Sequence, residues 1–577
     1  MVSCCVSQSK SDLTWLNLAS VVQERTVTLN RNFQLTIENF IFSQRKLYYL
    51  ISKMLAIQHL FRYSKILVQL VCFLAFSYSI SAQFTPVHYQ PGDDYLRTAQ
   101  LQGKIGAEYS LSIRPISRPF ILDSLTQVIP KNADKKIRYR LLPVTGTFRY
   151  NSSRPFGWND AAMRMASGFQ QQWSTGVYGR LGPLELQLQP EWVQLADPIY
   201  KNTPAYGATV SQPLSRFYPG QSSLQVNIWP IAFGVSTRNL WWGPAQFSAL
   251  LMSNHASGFP HAYFQSRRPL RTPIGHFEWQ LIGAVLSEDS SRAMENAALR
   301  PLALTSDKRY LNAFVLSYHP RWLKGLYLGF SRTEQSYFSD IKSSGMPFFK
   351  KYFSTLRITT PTDNWNSYYN GGFSSDGLAS FFLRWRMEKA KAELYTEFGY
   401  NDFKQNLRDL AVNPGHAAAY TLGFKKVIEQ NKILWDLSAE LTRMSQSNSY
   451  LLRNAGNWYT HGRPAQGYTH QNQVLGGGSG LGNNLQTLQL LRRKDFNYWG
   501  IRLQRIQQDP KGLAGSFENL GMRTHAWTDW VAGILFQQRY RQFFTKGEIL
   551  AVQARNFGWA EEDRFNLFAQ IQIGYLW

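Results

Sequence analysis

The last stretch of the chain narrows the available folds most. In residues 565–577, Phe565, Leu567, Ala569, Ile571, Ile573, Tyr575 and Trp577 occupy every second position, opposed by Asn566, Phe568, Gln570, Gln572 and Gly574. Successive side chains of a strand point to opposite faces, so this run has one unbroken apolar face and a mostly polar one. A soluble sandwich has no reason to end on such a strand.

The alternation recurs along the chain. Leu184, Leu186, Leu188, Pro190 and Trp192 interleave with Glu185, Gln187, Gln189 and Glu191, and the strand before them is joined by Gly182-Pro183 alone, as in a hairpin. The next connection, about 196–222, is long and carries Tyr200, Tyr206, Arg216, Phe217 and Tyr218. Further on, Phe381, Leu383, Trp385 and Met387 alternate with Phe382, Arg384, Arg386 and Glu388, and the run 433–442 repeats the pattern around Asp436 and Glu440. Short turns at one end and long loops at the other describe a transmembrane antiparallel β-barrel. The composition agrees: 15% aromatic and only 17% charged, without long apolar helices. Charge on the lipid face costs roughly 2–4 kcal/mol at mid-membrane, so Arg384, Arg386, Glu393, Glu397 and Asp436 must face a polar lumen of both signs. Glu393 and Glu397 stand ~13 Å apart at ~3.3 Å per residue, too far for paired glycosidase carboxylates, and are expected to bridge to Arg384 and Arg386. The terminal strand resembles the signal read by barrel-insertion machinery, with Trp577 as its last residue.

At the other end, residues 54–82 read as a secretory signal peptide, with Arg62 and Lys65, an apolar core and the exit Ser79-Ile80-Ser81-Ala82. Residues 1–53 lack a coherent pattern and read as an upstream extension ahead of the true initiator, Met54. Segment 83–150 holds a short helix over 93–103, placed outside the membrane, and the first strands; 151–577 is the barrel. Cys4, Cys5 and Cys72 all precede the cut, which leaves no disulfide and no thiolate metal site. Removing residues 1–82, with eight Lys/Arg against three Asp/Glu, leaves +20 of the chain's +25. Such an excess favours a polyanion. An exported chain rarely meets nucleic acid, so acidic polysaccharide or lipopolysaccharide phosphate is the expected counter-charge.

The stretch 224–268 holds the candidate site. Arg238, Trp241 and Trp242, then Asn254 and His255, combine flat apolar rings with hydrogen-bond donors, the materials of a sugar platform. The same residues also suit an aromatic girdle and an ordered loop. A second cluster, Tyr459, His461, Arg463, Tyr468 and His470, precedes the Gly-rich 475–482, which is expected to be a flexible loop because it lacks a phosphate loop's Gly-Lys-Ser/Thr ending. No fixed carboxylate accompanies the two His, so neither metal nor cofactor is expected. Ser253, Asn254 and His255 are hydrolase residue types, but neighbours on a strand alternate faces and this segment cannot align all three.

Several blocks resemble the Wzi-type capsule assembly family of outer-membrane β-barrels. They are Gly157-Trp158-Asn159-Asp160, Gly182-Pro183-Leu184-Glu185-Leu186-Gln187, Asn239-Leu240-Trp241-Trp242-Gly243-Pro244 and Ser253-Asn254-His255-Ala256, followed by residues 393–402 and by Trp458-Tyr459-Thr460-His461 with Gly467-Tyr468-Thr469-His470. The resemblance implies an all-β barrel of about 18 strands with a short helical element on the periplasmic side, consistent with strands of ~10 residues over this length. It further implies lectin-like binding of capsular or other surface polysaccharide at the outer membrane, without chemistry. A monomer is expected. The alternatives are an oligosaccharide porin and an outer-membrane lipid hydrolase.

Overall fold

The computed structural model describes residues 83–85, 95–118, 137–195, 214–288, 308–343, 352–356, 375–401, 411–412, 414–446, 457–461, 464, 466–509 and 525–576. The segments expected to be an upstream extension and a signal peptide, 1–53 and 54–82, lie outside them, as do Arg463 and Trp577. An antiparallel sheet of 18 strands closes on itself. In order these are β1 (Ile137–Asn151), β2 (Gly168–Leu181), β3 (Leu184–Leu188 and Glu191–Leu195), β4 (Leu214–Tyr218 and Ser223–Ile228), β5 (Ile231–Ser236) and β6 (His261–Ser266, continued by Leu270–Thr272). Then follow β7 (Gly275–Leu286), β8 (Arg309–Pro320), β9 (Leu326–Tyr337), β10 (Asp376–Met387), β11 (Ala392–Asn401) and β12 (Ala418–Gln430). The last six are β13 (Ile433–Arg443), β14 (Asn484–Lys494), β15 (Asn497–Gln507), β16 (Thr528–Tyr540), β17 (Phe543–Arg555) and β18 (Arg564–Tyr575). β18 pairs with β1 from Phe568 opposite Asn151 to Tyr575 opposite Val144, which leaves no open edge.

The period-two pattern dictates the wall. On β10, Phe381 and Trp385 are 59% and 48% exposed while Arg384 and Arg386 are buried in the lumen. On β18, Phe565, Leu567 and Ile573 face outward, opposite Asn566 and Phe568 inside. Tight turns join alternate strands at one end. At Asn431-Lys432 both residues have positive φ, 49° and 64°, the backbone twist that a two-residue hairpin needs. Long connections join the strands at the other end.

Two features depart from the sequence reading. Arg216, Phe217 and Tyr218, expected in a loop, lie on β4, which like its partner β3 is broken in two. Pro190 interrupts β3 because it has no N–H to give the ladder. β1, beginning at Ile137, lies within 83–150, where the first strands were expected. The expected helix, α1 (Tyr95–Leu101), is present but lies inside the lumen with every residue buried. Two apolar patches explain the placement: Leu96, Ala99 and Leu101 pack against Val427 and Leu434 near the β12–β13 turn. Thr98 Oγ1 donates to Asp436 (2.5 Å), and Arg97 pairs with Glu393 (2.6 Å).

Candidate functional site

The long connection 237–260 and the described part of the next long connection, 457–461 and 466–483, turn inward and fill the lumen as two straps. The wall holds the first strap by its carboxylates. Glu440 on β13 accepts the consecutive backbone N–H groups of Gln246 (2.6 Å), Phe247 (3.0 Å) and Ser248 (2.8 Å), and also the Tyr395 hydroxyl (2.8 Å). Glu397 on β11 accepts from Leu250 N (3.2 Å) and Ser380 (2.8 Å). Gly243 has φ +97°, and a Cβ there would stand 2.9 Å from Glu397 Oε2, so the strap's corner requires glycine. The N-terminal segment locks to the same strap: Trp241 and Trp242 pair as strand with Arg114 and Ile113. Glu393 takes Arg384 (2.5 Å) as well as Arg97, so the expected lumen ion pair forms at Glu393; Glu397 instead clasps backbone.

These contacts decide where the predicted residues sit. Trp241 and Trp242 are both fully buried; their indole N–H groups donate to Ala245 O (3.0 Å) and Gln280 (2.7 Å). Trp242, Trp458, Tyr459 and Tyr468 come together, but as one packed core, with Tyr459 and Tyr468 stacked at 6.1 Å. Tyr459 donates to Leu250 O (2.6 Å) and accepts from Gly477 N (2.7 Å), which ties the two straps together. None of these rings has a free face in this arrangement, so they cannot serve as open stacking platforms; inward folding of the loops spends them on cohesion. Arg238 is likewise buried, its Nε and Nη2 donating to Ser236 (3.0 Å) and Tyr263 (3.2 Å). Asn254 O accepts from Ala161 N (2.8 Å). His255 is buried, and desolvation, then the nearby Arg149 cation, pushes its pKa down to about 4. His470, pushed down to about 3 by burial and then by Arg309, accepts from Ser287 N (3.3 Å). Among the described residues of the predicted site, only His461 is half-exposed. The Gly-rich 475–482, expected to be flexible, is instead buried throughout: a Cβ on Gly476 would collide with Leu250 O and the Tyr459 hydroxyl.

Sequence reasoning missed a chamber of about 240 Å³ left between the straps and the wall. Its roof is the connection after β1, with Trp158, Asn159 and Asp160, together with Phe247 and Asn254. Its walls are glutamine-rich: Gln172, Gln489, Gln504, Gln570 and Gln572. Gln570 and Gln572 were visible as the polar face of β18, but the partners on β2, β14 and β15 lie far off in the chain. Arg502 spans the wall, bonded to Glu548 (2.8 Å) and Gln489 (3.1 Å). Roof and wall join where Asp160 pairs with Arg149 and accepts from Gln570 (3.3 Å).

The profile of the capsule assembly protein Wzi family matches residues 158–498, more than half of the chain, and runs from this roof to the β15 wall. The chain belongs to the Wzi capsule assembly family. Among solved structures, Wzi of Escherichia coli, an outer-membrane protein involved in group 1 capsule assembly and a carbohydrate-binding β-barrel, is similar over 84% of this chain and 98% of its own, at 16% identity and TM-score 0.56. At this identity the likeness establishes the fold, a Wzi-type barrel. Pseudomonas aeruginosa OpdL (8% identity, 76% of this chain and 98% of its own, TM-score 0.38) and a BenF-like porin of Pseudomonas fluorescens (9%, 76% and 98%, 0.38) are more distant. No curated protein sequence matches.

Proposed function

We propose that this Wzi-family barrel sits in the outer membrane and binds capsular or other surface polysaccharide, helping to hold it at the cell. The observation that carries the reading is the family match over residues 158–498, joined to a lumen occupied by clasped straps where a conducting pore would need open space. The Escherichia coli Wzi barrel binds carbohydrate, and the basic balance of the present chain suits an anionic polymer. In this reading the long-connection end meets the glycan. His461, at the edge of the second strap, and Arg463 donate to it, while Arg238, Trp241, Trp242, Asn254, His255, Tyr459, Tyr468 and His470 hold the straps in shape. Lipopolysaccharide phosphates surround the rim, the protein works as a monomer, and the barrel-insertion machinery reads β18.

Binding without chemistry fits the Ser253 environment. Its hydroxyl donates to Gly476 O and accepts from His255 N (3.1 Å), so it is tied to backbone and not to an imidazole base.

The test is retention of polysaccharide, extracted from the cells that make the protein, by lipid vesicles carrying the purified barrel. Retention above empty vesicles is expected, together with closed behaviour in planar bilayers. Absence of retention overturns the reading, and a steady open conductance would favour the porin.

A further inference from the structure

The chamber under the 156–163 roof has a polar lining in which amides dominate. An amide offers two donors and an acceptor at no cost in net charge, the complement of vicinal hydroxyls that each donate and accept. Gln172 and Gln572 face each other across β1 from β2 and β18, and their side-chain amides bond to no other described residue. Gln489 and Gln504 are held in place, the first accepting from Arg502 and the second donating to Thr487 (2.9 Å), which fixes their orientation for a guest. Trp158, only partly buried, supplies an apolar ring at the roof and is steadied edge-on by Phe156 at 5.3 Å. The volume, about 240 Å³, falls just under the range of roughly 300–1,000 Å³ typical of small-molecule sites, which suits one sugar ring and not a long segment. α1 packs against the β11–β13 side and reaches the chamber with Arg97, while the chamber follows β14–β18 and on to β1 and β2, reaching Tyr498, Lys546 and Gln572, a few residues from the short-turn end.

We propose that this chamber is an internal saccharide subsite taking a single hydroxyl-rich pyranose unit, either the end of a polysaccharide chain or a free sugar. The pyranose stacks on Trp158, and the glutamine amides with the Arg502–Glu548 pair bind its hydroxyls. The inference rests on the polysaccharide reading above, but places contacts at residues which that reading does not use.

The test uses the full-length barrel in detergent. Probes are oligosaccharides from partial acid hydrolysis of the source cells' surface polysaccharide, the intact polymer, and free glucose and glucuronate. Calorimetric titration of the parent is compared with Gln172→Leu/Gln572→Leu and with Gln572→Trp, which fills the space. Heat-modifiable gel migration reports that each variant is folded. The double variant is expected to weaken oligosaccharide binding about tenfold or more, as loss of two hydrogen-bonding groups implies, and the filling variant to abolish it. Competition by the monosaccharides assigns the site to free sugar, and its absence to chain ends. Folded variants that bind oligosaccharides like the parent overturn the subsite; if they also retain intact polymer, the polysaccharide reading survives alone. A parent that binds neither oligosaccharide nor polymer overturns both.

Discussion

Glu440 accepts three consecutive backbone N–H groups and a phenol, and an ionised acceptor makes such bonds about twice as strong as a neutral one. Glu440→Gln keeps the shape and loses the charge, so the strap around 246–248 is expected to loosen at a cost of about 1–3 kcal/mol. Urea unfolding in detergent and faster proteolytic cutting within 237–260 would report it, and an unchanged cutting rate would refute the clasp. His255 gives a pH signature. The unfolded imidazole takes its proton near 6.5 and the folded one near 4. Between these values the unfolded state holds more protons, so stability falls as pH falls through this window and levels off below about 4. His255→Gln should flatten that part of the profile in unfolding titrations. Individual charges were legible in sequence wherever a strand carried them, as Arg384 and Glu393 were, because alternation fixes their side of the wall. Trp241, Trp242, Tyr459 and Tyr468 were legible as important but not as buried. Whether a loop folds outward or inward leaves no period in the sequence.

Strands and straps differ in the same way as elements. β10, β11, β13 and β18 could be read from pattern alone, whereas β4 hid in a presumed loop because each of its halves is only five or six residues long. The second strap depends on close approach. Gly476 leaves room for Leu250 O and Tyr459, and Tyr459 bridges Leu250 O and Gly477 N. Gly476→Ala should push the straps apart and make the gel band unfold at lower temperature. Tyr459→Phe, which strands a buried carbonyl and a buried N–H, should cost about 1–3 kcal/mol in urea titrations while leaving the barrel's far-ultraviolet spectrum intact. A larger effect of the phenylalanine variant on the spectrum than on stability would count against this division between strap and wall.

For the whole molecule, the straps and α1 make the interior a packed core and leave the lipid-facing surface to the strands. Replacing 238–259 by a short Gly-Ser linker should turn a closed barrel into a conducting one in planar bilayers, since the Trp242 core and the Glu440 clasp would both go. Equal conductance before and after would place the seal elsewhere. The fold class followed from alternation, but the contents of the cylinder did not, because they depend on which distant side chains share the lumen. The pairing of β18 with β1 has a consequence for assembly. A cylinder whose first and last staves touch cannot be hooped shut until its final stave arrives.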